Sequence, residues 1–509
     1  MNRTKLFLFS VASFAGVFQG CDCGSDNAGP GDKPVIVDEG KCGYDCKQTC
    51  TPGLPQGLIG GYTSIVTAPD GVIHVAGYND FAFTPDVNVK YGDLVYGTFN
   101  REKGEVEWQT VDGVPTRDTG TAGCPIADRD GWRKGEDEPG DNVGLHTSIQ
   151  LDPRGRPMIA YYDNTKKSLR FARIDGGFAS YSITEVKQGF NRGRYAKQLI
   201  VGGRPVVIYS GFEPDKDGKR ISKVSIAKSA SDFPSKATDW TFEDIYSSEA
   251  LPCVVDSCSD GTACVLNTGK CSATVSTCSP TCNVDFACIK TGSSGSCVPT
   301  SPVVPTSYPK DVGDDLQVAQ SGAGIAIVSY DRVHGDLLGF SNADGSWKRI
   351  VLDSSMPDVG VSPSIAVDGK GDWHVTYINN SSGALQYVRV VGGKTAGKPE
   401  IIDNGLGLAG TLFPDGIHKV GDDSEVRVAG DGTVELLYQD ATVGTLRYAK
   451  GVVSGTTHTW TVAVASQPGR FAGFFPHWVP GGNDIVNFWR VTDTATKSIF
   501  GNVALLTRP

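Results

Sequence analysis

The sequence has little of what helical, membrane-spanning or nucleic-acid-binding proteins require. Only 3 of its 509 residues are Met and 7 are His, and the formal net charge is −10 without any basic run. An acidic chain that lacks a Lys/Arg cluster has no electrostatic footprint for nucleic acid. No apolar stretch beyond residue 20 approaches the roughly 20 residues of a membrane-spanning helix. We therefore expect neither nucleic acid as a partner nor a transmembrane span.

Common catalytic signatures are also missing. The chain contains no Gly-x-Ser-x-Gly elbow, no His-Glu-x-x-His pair and no phosphate-binding loop. The nearest string to the Asp-box of sialidases, Ser341–Trp347, has its Asp one place late and occurs once. The sequence therefore assigns no catalytic residue, no metal ligand and no cofactor.

The first twenty residues have the composition of an export signal. Arg3 and Lys5 precede an apolar run from Leu6 to Phe18, which predicts a signal peptide at residues 1–20. The string around Cys21 resembles the lipobox of bacterial lipoproteins. That resemblance implies an acylated Cys21 and a lipid-anchored protein of the bacterial cell envelope, at the outer membrane or cell surface. Plain secretion is the alternative, and residues 21–32 read as a flexible tether in both cases.

What the sequence has in abundance is internal repetition. Copies of one pattern run over Ser148–Ala172, Ser364–Val388 and Glu425–Ala449, and seven units begin near Tyr62, His146, Lys197, Asp315, Ser362, Glu425 and Pro476. Each unit contains four short segments of alternating hydrophobicity separated by Gly and Asp turns, which predicts four antiparallel strands. Units of this length favour a propeller blade over a solenoid coil.

The last unit lacks a fourth strand, because the chain stops at Pro509. A strand-like segment, Lys33–Asp38, stands alone before the first unit and is similar to Lys398–Asp403 in the fifth. A closed ring should not leave a strand edge unpaired. The sequence therefore predicts an all-β, seven-bladed β-propeller over residues 33–509, in which residues 33–38 complete the last blade.

The repeat reads Ser-Ile-x-x-Asp-x-x-Gly, then Tyr-x-Asp, then Leu-x-Tyr-Ala or a close variant. It resembles the repeats of exported bacterial β-propellers of the broad sialidase-like type. That resemblance implies the fold and leaves the activity open, since propellers include hydrolases, lyases, lectins and scaffolds.

Cysteine use points to disulfides. An exported chain with 14 Cys is expected to oxidise them. Residues 251–312, between the third and fourth units, hold two successive sets of four and resemble small disulfide-knot modules of secreted proteins. We expect pairing within each set, with three connectivities open for each. Outside this insertion we predict a disulfide bond from Cys124 to one of Cys42, Cys46 and Cys50. The predicted disulfide-forming residues are Cys42, Cys46, Cys50, Cys124, Cys253, Cys258, Cys264, Cys271, Cys278, Cys282, Cys288 and Cys297.

All large insertions follow a fourth strand, so they share one face of the predicted propeller. Loops on a rigid scaffold commonly carry function, and this face is the predicted working face. Candidate ligand contacts are two His near the start of a first strand and the Asx residues that end second strands. They are His146, His477, Asp80, Asp163, Asp331, Asn379 and Asp440. The alternative for the Asx residues is that they start turns by bonding their own backbone.

These observations predict a binding protein at the cell surface or in the medium, with a protein or a glycan as its partner. The alternative is an enzyme that acts on extracellular polysaccharide, a glycosidase or lyase with an active site on the propeller axis.

Overall fold

The computed structural model describes residues 58–81, 91–113, 141–175, 181–216, 219–249, 262–265, 270–275, 278, 281–282, 286–291, 294–299, 311–406, 418–466, 470–492 and 499–509. Within these ranges the regular structure is β-strand, apart from one 3₁₀ turn at Ala237–Asp239. The predicted all-β class is confirmed. No described helix is long and apolar enough to span a membrane. Residues 1–57 and Cys124, Cys253 and Cys258 lie outside the described residues, and with them the predicted signal peptide, tether, closing strand and Cys124 bond.

Strands form antiparallel units in chain order. Unit one is β1–β4, with bounds Leu58–Thr67, Ile73–Phe81, Tyr91–Asn100 and Glu105–Asp112. Unit two is β5–β8, with bounds Val143–Leu151, Pro157–Asp163, Ser168–Ile174 and Tyr181–Lys187. Unit three is β9–β12, with bounds Arg194–Val201, Arg204–Pro214, Arg220–Ser229 and Trp240–Ser247. Two hairpins follow, β13–β14 (Thr262–Val265, Lys270–Ala273) and β15–β16 (Phe286–Thr291, Ser294–Pro299).

Unit four is β17–β20, with bounds Val312–Ser321, Gly324–Asp331, Asp336–Ser341 and Lys348–Asp353. Unit five is β21–β25, with bounds Val359–Val367, Trp373–Asn379, Ala384–Val391, Lys394–Thr395 and Glu400–Asp403. Unit six is β26–β29, with bounds Val420–Val428, Val434–Asp440, Thr445–Ser454 and Thr457–Val464. Unit seven is β30–β32, with bounds Phe471–Trp478, Asp484–Thr492 and Ile499–Thr507. A parallel bridge from Leu58 to Gly501 joins it to unit one.

The core lies between units. Every residue of the second strands β6, β18, β22 and β27 is buried, whereas the outer strand β29 is mostly exposed. Large aromatic residues fill the space between neighbouring units, as where Trp240 meets Phe171 edge to face with ring centroids 5.0 Å apart. First strands contact one another in the order β1, β5, β9, β17, β21, β26, β30, and β30 also contacts β1. Burial of these faces supplies the main stabilising free energy.

A buried hydrogen bond recurs between neighbouring units. The last residue of a unit's final strand is an Asp that accepts from a Tyr hydroxyl of the next unit's second strand. The Tyr–Asp pairs are Tyr161–Asp112 at 2.7 Å, Tyr377–Asp353 at 2.6 Å and Tyr438–Asp403 at 2.7 Å. Since buried polar groups need partners, these bonds fix how one unit sits on the next.

The cysteine-rich insertion is described in part. Its second set of four cysteines pairs within itself, first to third and second to fourth, as Cys278–Cys288 and Cys282–Cys297. Cys264 and Cys271 are also disulfide-bonded. The only buried hydrophobic cluster among its described residues is small, Ala263, Ile289 and Val298. A segment with so little core depends on covalent cross-links for its stability.

Candidate ligand-binding site

A Gly-x-X triplet opens the first strand of every unit. Both Gly and X have positive φ, from 82° to 106° for Gly and from 46° to 54° for X. We call the seven X residues the central ring: Tyr62, His146, Tyr195, Asp315, Ser362, Asp423 and Phe475. Positive φ is uncommon outside Gly and, for bulky residues, marks local strain. Because the pair of positive-φ residues recurs in all seven units, the units share one backbone conformation at the start of the first strand.

This shared backbone conformation is a β-bulge. In each unit the register between first and second strands shifts at the X residue, for example between Leu145 and Ser148 in unit two and between Asp422 and Glu425 in unit six. A bulge leaves one residue unpaired and re-aims its side chain. The glycine fits because a backbone lies against it. A Cβ on Gly360 would lie 2.7 Å from the Cα of Leu337 in the preceding unit.

All seven ring residues line one cavity of about 340 Å³. All seven are half-buried, as expected for side chains that form a pocket wall. The other lining residues are Thr63, Thr147, Lys197, Leu316, Gln317, Pro363 and Ser424. The seven units thus converge on a single concave site, the usual form of a small-molecule site.

Four consecutive ring residues form an aromatic arc. The centroid of Tyr62 lies 5.0 Å from that of Phe475 and 4.9 Å from that of His146, and His146 lies 4.5 Å from Tyr195. These spacings are typical of interacting aromatic rings. Four of the seven ring residues therefore present π-systems to the cavity.

The remaining three ring residues form a polar arc of Asp315, Ser362 and Asp423. The amide of Ser362 donates to Asp315 Oδ2 at 3.3 Å, and the amide of Phe475 donates to Asp423 Oδ2 at 3.4 Å. Each carboxylate is thus held by the backbone of the following unit through one oxygen. The polar arc supplies hydrogen-bond acceptors opposite the aromatic arc.

A second layer lies two residues beyond the ring. Lys197 lines the cavity from unit three. His477 Nδ1 lies 2.9 Å from Glu425 Oε2, and its Nε2 lies 2.8 Å from the carbonyl oxygen of Thr63. Where this position is Ser, as at Ser64 and Ser148, the hydroxyl accepts a backbone N–H of the next unit at 3.1 and 2.8 Å. At this position the Ser hydroxyls link neighbouring units by hydrogen bonds, whereas Lys197, Glu425 and His477 provide ionisable side chains.

Burial tunes the charges of the site. Burial, followed by the Asp422 carboxylate, raises the pKa of Asp423 to about 7, and burial also raises the pKa of Asp315. Burial lowers the pKa of Lys197 despite its acidic neighbours. Burial, with Arg194 and Lys197, holds the pKa of His146 well below its usual value, so His146 is neutral at neutral pH.

The two ring tyrosines are poor nucleophiles or bases. Burial, reinforced by nearby carboxylates, raises the pKa of Tyr62 above its ordinary value, and burial raises the pKa of Tyr195 in the same direction. A phenol that stays protonated at neutral pH does not attack or abstract a proton unaided. The tyrosines are therefore suited to stacking and hydrogen bonding.

The structure separates the sequence-predicted candidates into two groups. His146 belongs to the central ring, and His477 lies in the second layer beside it. The Asx residues do not line the cavity. Asp80 is half-buried; Asp163, Asp331, Asn379 and Asp440 are buried, and the side chains of these four accept backbone N–H groups of the turns that follow them. These four contacts are those of turn-forming residues.

Sequence reasoning missed six of the seven ring residues as ligand contacts, all but His146. Tyr and Asp occur twice each in the ring and His, Ser and Phe once, so no single residue type marks this position in the repeat. The signal that could have found them is the Gly two residues earlier, at Gly60, Gly144, Gly193, Gly313, Gly360, Gly421 and Gly473.

A second cleft, of about 490 Å³, lies between units five and six. Its polar groups bond mainly to one another. His374 Nδ1 lies 2.8 Å from the Tyr387 hydroxyl, and Glu400 accepts from the His458 amide and the Trp460 indole, both at 3.0 Å. This internal pairing fits a structural role better than a ligand role.

No family model matches the chain, and no curated protein matches it in sequence. Solved structures are similar to it at low identity. An ulvan lyase bound to a GlcA–rhamnose sulfate ligand gives a TM-score of 0.44 at 11% identity over 90% of this chain and 95% of that one. The Aleuria aurantia lectin with α-methyl-L-fucoside gives 0.35 at 12% over 80% and 96%. A sialidase from Streptococcus pneumoniae gives 0.39 at 10% over 89% and 69%. The function of this chain has to follow from its own side chains.

Proposed function

We propose that the protein binds a carbohydrate in the cavity bounded by the central ring. The observation that carries this proposal is the division of the ring into an aromatic arc and a polar arc that face one cavity. A sugar has apolar C–H faces, which stack on aromatic rings, and hydroxyl edges, which donate to carboxylates. Pockets that combine apolar walls with a few placed polar groups are typical ligand sites.

The scaffold behind this site is, in our proposal, a seven-bladed β-propeller. Its support is the order of first-strand contacts, which runs through the seven units and returns from β30 to β1. A further support is the Gly-x-X triplet, which occurs once in each unit. Such a scaffold holds the ring rigid, so little ordering free energy is lost when a ligand binds.

The test is a glycan array followed by calorimetry on the best binder. Tyr62→Asn removes a central aromatic ring and keeps a residue that tolerates positive φ. We expect it to weaken binding about tenfold or more, the equivalent of about 1.4 kcal/mol. Phe242→Ala, on an outer strand where Phe242 is 38% exposed, is the matched control and should bind as wild type. If no glycan binds, or both variants bind as wild type, the proposal is wrong.

One observation favours catalysis as a second candidate. With a pKa of about 7, Asp423 is partly protonated at neutral pH, the state that a general acid needs at a glycosidic oxygen. A polysaccharide glycosidase or lyase would then use Asp423 as its proton donor. Release of new chain ends from a bound polysaccharide, abolished in Asp423→Asn while binding persists, would support it. Intact polysaccharide after prolonged incubation would leave binding as the function.

We further propose that the protein acts outside the cell, as an envelope lipoprotein anchored through Cys21 or as a secreted protein. The support is the N-terminal sequence alone. Because one acyl chain anchors only marginally, stable attachment needs two or more. Cys21→Ser should move the protein from the membrane fraction to the soluble fraction. A wild-type protein that is already soluble and unacylated would favour secretion.

A further inference from the structure

We propose that the carbohydrate recognised in the central cavity carries a protonated amino group, as a deacetylated amino sugar does. This inference rests on the proposed function and narrows it. In the bound state the ammonium group lies between the aromatic arc and the carboxylates of Asp315 and Asp423. The sugar ring then stacks on the aromatic arc.

The first support is the charge balance of the cavity. Three carboxylates belong to the ring and its second layer: Asp315, Asp423 and Glu425. Glu425 is paired with His477 at 2.9 Å. Lys197 is the sole Lys or Arg among the described residues that line the cavity. Arg332 and Arg194 act on Asp315 from outside the cavity lining, so a ligand ammonium would add a second cation within the cavity itself.

The second support is that the carboxylates oppose one another. Asp422 and then Asp315 add to the effect of burial in raising the pKa of Asp423. Asp422 acts in the same direction on the pKa of Asp315, where Arg332 and Arg194 oppose it. Negative charge is therefore crowded at this side of the cavity when no cation is bound. A positive ligand relieves that repulsion, whereas an anionic ligand such as a uronate or sialate would add to it.

The third support is the aromatic arc. The faces of Tyr, Phe and His-type rings attract a cation through their quadrupoles, and several rings together form the cages that recognise ammonium groups. Tyr62 is central to the arc, with contacts to both Phe475 and His146. Neutral His146 adds no competing positive charge. An amino sugar is the saccharide that uses the aromatic and the acidic wall at once.

The experiment compares three β-1,4-linked tetrasaccharides that differ only at C2. These are the glucosamine, N-acetylglucosamine and glucose oligomers, measured by calorimetry at low salt. We expect the glucosamine oligomer to bind about tenfold more tightly than the other two. Added salt should reduce this preference, since the interaction is partly electrostatic.

Two variants locate the charge effect. Asp315→Asn should abolish the preference for the glucosamine oligomer, because a carboxylate is lost and the shape is kept. Lys197→Met removes the competing cation and should raise the ratio of glucosamine-oligomer affinity to glucose-oligomer affinity above the wild-type ratio. A purely structural role of these residues would move all three ligands together.

The outcomes separate this inference from the proposed function. Equal affinity for all three oligomers, or tight binding of only a neutral or anionic glycan on the array, overturns the amino-group inference and leaves carbohydrate binding intact. Absence of binding to every glycan overturns both. A preference for glucosamine that survives Asp315→Asn places the ammonium elsewhere and also overturns the inference.

Discussion

Arg447 is a buried guanidinium between two carboxylates. Its Nη1 lies 3.2 Å from Asp403 Oδ2 of unit five, and its Nη2 lies 2.6 Å from Asp440 Oδ2 of its own unit. Arg447 is 3% exposed. Arg170 repeats the arrangement in unit two, with Asp112 at 2.7 Å and Asp163 at 2.6 Å. At the scale of single residues, the units are held together by buried charges, each of which is stable only when it is paired with an opposite charge.

Replacing Arg447 by Met should therefore destabilise the protein by about 3–5 kcal/mol, because the buried carboxylates of Asp403 and Asp440 lose the guanidinium that they share. Arg101→Met is the control. Its side chain is 52% exposed and pairs with Asp484, whose side chain is 29% exposed, so the loss should stay below about 1 kcal/mol. Denaturant unfolding of both variants measures the difference. Equal effects would mean that the buried cluster adds nothing beyond a surface pair.

Asp423 gives the protein a pH dependence of known sign. Since its folded pKa is raised to about 7, the folded state keeps a proton that the unfolded state has lost above about pH 4. The free energy of unfolding therefore falls as pH rises from about 4 to about 7, and this contribution is flat beyond that range.

In Asp423→Asn that contribution is absent. The melting temperature of the variant relative to wild type should increase between about pH 5 and pH 7.5. Asp431→Asn is the control, because the Asp431 carboxylate is exposed and its pKa is lowered by the Thr433 amide. It should keep the wild-type slope in this window. A constant offset between Asp423→Asn and wild type would contradict the assignment.

Among the elements, the first strands carry the site and are the least regular. Gly360 has φ of 101°, and a Cβ there would lie 2.7 Å from Leu337 Cα. Gly371, in a turn of the same unit, has φ of 85° but no atom within 4 Å of such a Cβ. Both glycines escape the cost of positive φ for other residues. Only Gly360 also permits two backbones to approach each other.

Gly360→Ala should therefore cost about 2 kcal/mol more than Gly371→Ala, in which strain of about 1 kcal/mol is the whole effect. Gly360→Ala should also weaken ligand binding, because it displaces Ser362 in the central ring. Thermal unfolding and calorimetry on the pair provide the comparison. Similar stability of the two variants would show that the strand can shift without loss.

The strands themselves were predictable from sequence, but the site on them was not. The sequence predicts the second strands as segments of alternating hydrophobicity, but every residue of β6, β22 and β27 is buried, so both faces of these strands are covered. The predicted starts of the first strands are three to five residues late, as at His146, where β5 begins at Val143. The bulge disturbs the alternation there. Convergence of side chains from seven units depends on how the units face one another, which local patterns do not encode.

At the scale of the whole molecule, stability depends on contacts between successive units. Most units have four strands or more, whereas unit seven has three among the described residues. Among the residues that the structure describes, its outer strand β32 pairs beyond β31 only at Leu58, through the bridge to Gly501. An edge of this kind is a weak point in a ring, because it leaves backbone donors and acceptors without partners and invites pairing with other chains.

We predict that Lys33–Asp38 pairs with β32 and completes unit seven. The similar segment of unit five supports this, since Glu400–Asp403 forms β25 and pairs with β23, the third strand of its unit. A chain beginning at Glu39 should therefore melt at a lower temperature than one beginning at Lys33, and it should associate more readily through the open edge. The shorter deletion removes only the predicted signal peptide and tether and is the matched control. If both chains melt together, the ring closes without this strand, and the count of four strands in the seventh blade is wrong.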